Sequence, residues 1–211
     1  MIRAVVSDFG GVLTTPLLDS FVAYQRDSGI AFEDLGAAMA RVAAAHGGEH
    51  PLFELEKGKI TEAEFLGRLE TELGRKMASF RETYFAHLHP NEPMIGYMRG
   101  LRDRGFRMAL LTNNVREWEP EWRAKLPDID EIFEVVVDSA FVGMRKPERG
   151  IYELTVERLG DGLRCEECLF LDDIEANCEA AAALGMHAVR FADNDQAIAE
   201  MEAALDHAAG R

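Results

Sequence analysis

The chain is short of almost everything a secreted or nucleic-acid-binding protein relies on. Its three cysteines, Cys165, Cys168 and Cys178, are too few and too bunched for a disulfide framework. Cys165 and Cys168 stand as Cys-x-x-Cys, but no second pair at metal spacing accompanies them, so Cys168 reads as the opening of a buried strand. Positive charge is also scarce: 23 Lys and Arg stand against 38 Asp and Glu, a net charge of −15, with no basic block. That balance disfavours partnership with nucleic acid or an anionic membrane surface. No apolar run approaches the ~18 residues of a membrane span. The first residues carry none of the basic and apolar regions of a signal peptide, so the expectation is a soluble, cytoplasmic protein. Internal repeats and low-complexity tracts are missing, and neither G-x-G-x-x-G nor a P-loop follows the first apolar run, which weighs against a nucleotide-binding module.

What is there suffices for a proper core: 211 residues, 47% of them hydrophobic. Five apolar runs read as strands, at 2–7, 107–112, 133–138, 168–172 and 187–191. Helical patterns separate most of the later ones. One begins at Pro147 and ends before Gly160, another runs from about Ile174 to Leu184, and a last one starts near Asp195. The pattern between the second and third strands is less regular. Such alternation predicts an α/β fold with a mainly parallel sheet covered by helices on both faces. Residues 16–90 break it, offering amphipathic helices near 17–27, 32–45, 61–73 and 78–88 and no convincing strand. Thr61 and Glu64 form a capping box at the start of the third. The predicted organisation is a core of 1–15 and 91–211, entered by a linking helix near 93–104, with an all-helical unit of 16–90 inserted after the first strand.

Four short pieces fall where predicted strands end: Asp8 in SDFGG, Thr112-Asn113 in LLTNN, Lys146 in GMRKPE, and Asp172-Asp173 in FLDDIEAN. In a parallel sheet those ends lie along one rim, so residues far apart in sequence can converge. Three carboxylates brought together repel, and one would take up a proton unless a cation were present. Oxygen donors of this kind suit Mg²⁺, which shares its remaining positions with water and phosphate. With Lys146 as a second positive centre, the site suits a dianion.

These four pieces, in this order and separation, resemble the four motifs of the haloacid dehalogenase superfamily. The closer resemblance is to the phosphatase branch that contains the N-terminal domain of soluble epoxide hydrolase and bacterial glucose-1-phosphate phosphatases. It implies a Rossmann-like core with an inserted helical cap, and a phosphomonoesterase acting on a small phosphorylated metabolite such as a sugar phosphate. By the same resemblance Asp8 is the nucleophile that becomes an aspartyl phosphate. Thr112, with Asn113 beside it, would hold the transferring group by hydroxyl and backbone donors, and Lys146 would neutralise Asp8 and the phosphoryl oxygens. Mg²⁺ would be held by Asp8, the main-chain carbonyl of Gly10, Asp172 and Asp173, with Asn177 supporting the loop.

One position departs from most of those phosphatases. The residue two after the nucleophile is usually a second Asp that protonates the leaving group, and here it is Gly10. General acid–base catalysis is worth roughly 10²–10⁴-fold, so its loss slows an enzyme without abolishing it. Substrates with good leaving groups are then favoured. By type, His46, Glu49 and His50 are candidates for a substitute shuttle, against the simpler reading of a solvated loop. Trp118 and Trp122 read as packing residues rather than substrate stackers. Two other functions share the fold. A metal-independent 2-haloacid dehalogenase would have little use for Asp172 and Asp173 together, and a non-catalytic binding protein would have little reason to keep the other groups.

Overall fold

The computed structural model describes residues 1–209, so Gly210 and Arg211, assigned above to the core, lie outside the described residues. Five strands form one parallel sheet: β1 (Ala4–Ser7), β2 (Arg107–Thr112), β3 (Val135–Asp138), β4 (Cys168–Asp172) and β5 (His187–Arg190), in the order β3-β2-β1-β4-β5. Strand β1 is therefore central, flanked by β2 and β4, and all four of its residues are buried. Its alternation sorts side chains to two faces, as the period of a strand requires. Val5 joins a core with Leu110 and Leu169, whereas Ala4 and Val6 join another with Leu111 and Phe170.

Between β1 and β2 the chain makes six helices: α1 (Leu17–Ser28), α2 (Phe32–Ala45), α3 (Pro51–Glu56), α4 (Glu62–Leu73), α5 (Phe80–Ala86) and α6 (Glu92–Asp103). The first five carry no strand among them. The path out to them and the path back run side by side: Thr14 bridges Pro90, Thr15 N–H donates to His89 O at 2.8 Å, and Asn91 N–H to Leu13 O at 2.9 Å. The capping box forms at α4, where Glu64 N–H donates to Thr61 Oγ1 at 3.2 Å and Thr61 N–H to Glu64 Oε2 at 2.8 Å.

The irregular stretch between β2 and β3 resolves into a 3₁₀ turn, Arg116–Trp118, followed by α7 (Glu119–Lys125) and α8 (Ile129–Ile132). After β3 come α9 (Ser139–Val142), α10 (Arg149–Leu159), α11 (Glu175–Ala183) and α12 (Asn194–Ala209). Several expected boundaries shift. The outer ends of the runs 2–7, 133–138 and 187–191 lie beyond the strands: Ile2 and Phe191 pack half-buried past the last ladder bond, and the buried Phe133 closes α8. The helix expected from Pro147 begins at Arg149, and that expected over 78–88 is confined to α5. Helix α3 has no counterpart among the expected helices, because six residues are too few to display a 3.6-residue period. No helix among the described residues is long and apolar enough to cross a membrane.

Candidate active site

The register decides which side chains meet. Ser7 pairs with Leu171, and Asp8 N–H donates to Leu171 O at 2.8 Å, so Asp8 and Asp172 leave their strands as neighbours. On the other flank β2 ends at Thr112, opposite Asp138. This rim lies at the carboxyl ends of the strands, where a sheet whose order reverses about its first strand opens a crevice.

Lys146 is the hub. Its side chain is 1% exposed, and its ammonium Nζ lies 2.7 Å from Asp8 Oδ1 and 2.6 Å from Asp172 Oδ2. Burial alone would lower the pKa of that ammonium; Asp172 and Asp8 outweigh it and hold it above the ordinary lysine value. The loop that carries it is fixed by Asn113, whose Oδ1 accepts from Lys146 N–H at 2.8 Å and whose Nδ2 donates to Lys146 O at 3.0 Å. The Asn113 side chain is thus committed to the lysine's own peptide. Asp172 is held as firmly: Ile174 N–H reaches Oδ1 at 2.8 Å, and Asn177 Nδ2 reaches Oδ1 and Oδ2 at 3.0 and 3.1 Å. Asn177 therefore braces the loop from beneath.

Carboxylate oxygens of Asp8, Asp172 and Asp173 lie within 4.8 Å of one another, the one such group of acidic, histidine or cysteine side chains among the described residues. One ammonium cannot balance three carboxylates. Desolvation, followed by repulsion from Asp172 and Asp173, pushes the Asp8 carboxyl well above the usual range although Lys146 pulls it down. Desolvation and then Asp172 raise Asp173 too. Such a site lacks positive charge, and its hard oxygen donors fit a small divalent cation.

The two glycines after Asp8 serve different ends. Gly11 has φ of +78°, and a Cβ there would fall 2.4 Å from Asp173 Oδ2, so a bare backbone is what lets that carboxylate close on the site. A Cβ on Gly10 would instead meet both Leu17 methyls at 3.1 Å. The space that a side chain on Gly10 would enter is bordered by a leucine from α1.

The helical segment docks beside the rim through residues that no sequence motif singles out. Glu56, ending α3, accepts from Arg145 Nε at 2.6 Å, and its carbonyl accepts from Ser139 Oγ at 2.6 Å. Asn114 N–H in turn donates to Ser139 Oγ at 3.0 Å. Burial pushes Glu56 up in pKa against the pull of Arg145. Gly58, at φ +63°, brings the turn after α3 so close to Ala140 O that a Cβ would stand 2.3 Å away. None of these contacts between the helical segment and the rim leaves a signal in a single sequence, because each joins residues some 80 positions apart.

His46, Glu49 and His50 do not join the site. His46 Nδ1 is 2.9 Å from Val42 O, His50 Nδ1 accepts from Leu52 N–H at the start of α3, and Glu49 pairs with Lys57 and Lys59. Trp118 donates Nε1 to Glu62 at 2.7 Å, and Trp122 packs against Phe9 with ring centres 5.3 Å apart; both are packed. All three cysteines are free, and Cys168 opens β4 as a buried residue.

A family model for haloacid dehalogenase-like hydrolases matches residues 2–185. The chain is 31% identical over 212 residues to acyl-CoA dehydrogenase family member 10 of Mus musculus, covering 96% of this chain and 19% of that much longer protein. With sesquiterpene phosphatase astK of Aspergillus oryzae it shares 27% identity over 205 residues, 91% of each chain. In three dimensions it resembles a HAD family enzyme of Bacteroides thetaiotaomicron solved with magnesium and inorganic phosphate, at a TM-score of 0.67 and 22% identity over 90% of this chain and 94% of that one.

Proposed function

The chain belongs to the haloacid dehalogenase-like hydrolases, on their phosphatase branch, and from that premise we propose that it is a magnesium-dependent phosphomonoesterase acting on a small phosphorylated metabolite by way of an aspartyl phosphate. The observation that carries this reading is the buried juncture of Asp8, Lys146 and Asp172, with Asp173 alongside. A nucleophilic carboxylate, a fixed ammonium and further oxygen donors are what in-line displacement at phosphorus requires.

In this reading an Asp8 oxygen attacks phosphorus, and the alcohol or acid of the substrate departs with the electron pair of the P–O bond. Phe9 N–H, which donates to Asp8 Oδ1 at 2.7 Å, and Lys146 aim the carboxylate. Thr112, buried at the end of β2, and the main chain of the Asn113 loop hold the phosphoryl oxygens. Asp8, the Gly10 carbonyl, Asp172 and Asp173 would hold the Mg²⁺, which when bound supplies the positive charge that the carboxylates and the phosphoryl group together demand. Water then hydrolyses the acyl phosphate and restores Asp8. With Leu17 beside Gly10 no carboxyl from this loop protonates the leaving group, so rate follows leaving-group acidity. The division into a core of 1–15 and 91–211 and a cap of 16–90, and a cytoplasmic location, belong to the same reading. Three converging carboxylates argue against metal-independent dehalogenation.

The test is release of inorganic phosphate from p-nitrophenyl phosphate, acetyl phosphate and hexose 1- and 6-phosphates, with Mg²⁺ and with EDTA, beside Asp8→Asn. Turnover that needs Mg²⁺ and disappears in Asp8→Asn is expected. Undiminished turnover in EDTA, or in a folded Asp8→Asn protein, overturns the reading.

A further inference from the structure

The helical segment is hollow. A cavity of about 150 Å³ lies among α1 to α5 and the loop after β2, walled by side chains such as Leu35, Met39, Leu52, Leu69 and Phe80. Its lining is overwhelmingly apolar, and most polar groups that reach it are already engaged. Asn113 is bound to Lys146, Asn114 accepts from Val115 N–H at 2.9 Å, Glu56 is paired with Arg145, and Trp118 donates to Glu62. Two polar groups there, the Tyr84 hydroxyl and the Asn114 amide nitrogen, make no hydrogen bond among the described residues.

The cavity adjoins the rim. Leu17, Tyr84, Asn113 and Asn114 wall both it and a smaller opening bounded by Gly10 and Thr112. Because the two spaces share these walls, a molecule whose phosphate sits at Asp8 and Thr112 would reach the hollow by displacing the Leu17 side chain. Leu17, whose methyls would meet a Cβ on Gly10 at 3.1 Å, makes the shared wall apolar.

We propose, resting on the phosphatase reading, that the substrate is the phosphate monoester of an apolar group of about six carbons, with the phosphate at the rim and the hydrocarbon in this cavity. An apolar void of about 150 Å³ accepts a benzene-sized guest and excludes water. A hexose in its place would surrender a hydrogen bond to water for nearly every hydroxyl and recover few from these walls. The hydrocarbon surrenders none and gains close contact throughout.

The experiment uses acyl phosphates from acetyl through butanoyl and hexanoyl to decanoyl, which share one leaving-group acidity and differ in tail alone. Binding of methyl- and hexylphosphonate by calorimetry in Mg²⁺ is measured beside it. Each buried methylene is worth about 4-fold, so kcat/KM is expected to climb on the order of 10²-fold from acetyl to hexanoyl phosphate and then level off. Hexylphosphonate is expected to bind more tightly than methylphosphonate by a similar factor. Met39→Trp and Leu52→Trp, two half-buried cap positions, fill the cavity and should each shrink the hexanoyl-to-acetyl ratio at least about 10-fold. Turnover of acetyl phosphate with no dependence on chain length, or hexose phosphates preferred over hexanoyl phosphate, overturns the proposal and leaves the phosphatase reading standing. No turnover of any member, with hexylphosphonate still bound preferentially, overturns the phosphatase reading and supports the apolar site. No turnover and no binding overturns both.

Discussion

The carboxylate cluster at the sheet rim and the hollow in the helical segment share walls and are built from opposite materials. At the rim charged groups are fixed by short bonds: Lys146 touches two carboxylates, and Asp172 is met by Lys146, Ile174 and Asn177. In the hollow the packing is between aromatic rings and aliphatic chains, such as Phe80 edge-on to Tyr24 with centres 4.9 Å apart. A charge in a low-dielectric site must keep its place to within tenths of an ångström, whereas an apolar wall tolerates changes of shape that conserve volume. In the proposed function the rim sets the reaction and the hollow selects what undergoes it, so the two should fail in different ways.

Lys146→Ala is the hardest blow to the rim. It leaves Asp8 and Asp172 facing each other without the ammonium, and activity should fall about 10³-fold for every substrate, whatever its tail. Melting temperature should fall as well, and recover as pH drops. In the variant the Asp8 carboxyl, already raised by burial, loses the lysine that pulls it down, so the folded protein binds more protons there than the unfolded chain and gains stability as pH is lowered. Melts at pH 8 and pH 5 check this; an equal loss at both would break the electrostatic account.

A smaller effect tests the boundary between the two regions. Gly10→Asp crowds Leu17 and should gain little by itself. Combined with Leu17→Ala, it should raise turnover of phenyl phosphate, a poor leaving group, about 10²-fold over Leu17→Ala alone, while eroding any preference for apolar tails. Initial rates across a phenol series measure both.

The rim is far more legible in the sequence than the hollow. Strands β2 and β4 match their expected spans to the residue because central parallel strands are continuous apolar runs, and three of the four rim pieces announce themselves as polar residues stopping such runs, whereas Lys146, expected at the end of a strand, lies past α9 in the loop after β3. The wall of the hollow comes from five helices and a loop, and nothing in the periodicity of α1 says that Leu17 faces Gly10. Asn113 stands out by its place beside Thr112, but its grip on the Lys146 peptide spans 33 positions and follows only from the fold. Helix α3, which brings Glu56 to Arg145, is too short to leave a periodic trace.

The smallest effect separates a paired carboxylate from an unpaired one. Asp138, at the end of β3, accepts from Ala140 N–H at 3.0 Å but has no ion pair among the described residues, and burial pushes its pKa up to about 7 from an ordinary 3.8. A raised carboxyl stabilises the fold below the ordinary value and loses that contribution as pH climbs toward 7. Asp138→Asn keeps the cap and removes the titration, so its melting temperature should exceed the parent's by about 3 °C at pH 8 and match it at pH 4.

The neighbouring glycines also bear on how such a protein can change over generations. A glycine codon becomes an acidic codon by one base substitution, so the proton donor missing from the first loop stands a single mutation away at position 10. Leu17 is the gatekeeper of that step, and its pliant methyls can be displaced by a few tenths of an ångström. Position 11 has no such exit, because its backbone twist and the Asp173 oxygen 2.4 Å from any added carbon both forbid a side chain. Two identical residues side by side thus face opposite futures, one free to acquire new chemistry and the other frozen for as long as the carboxylate beside it is kept.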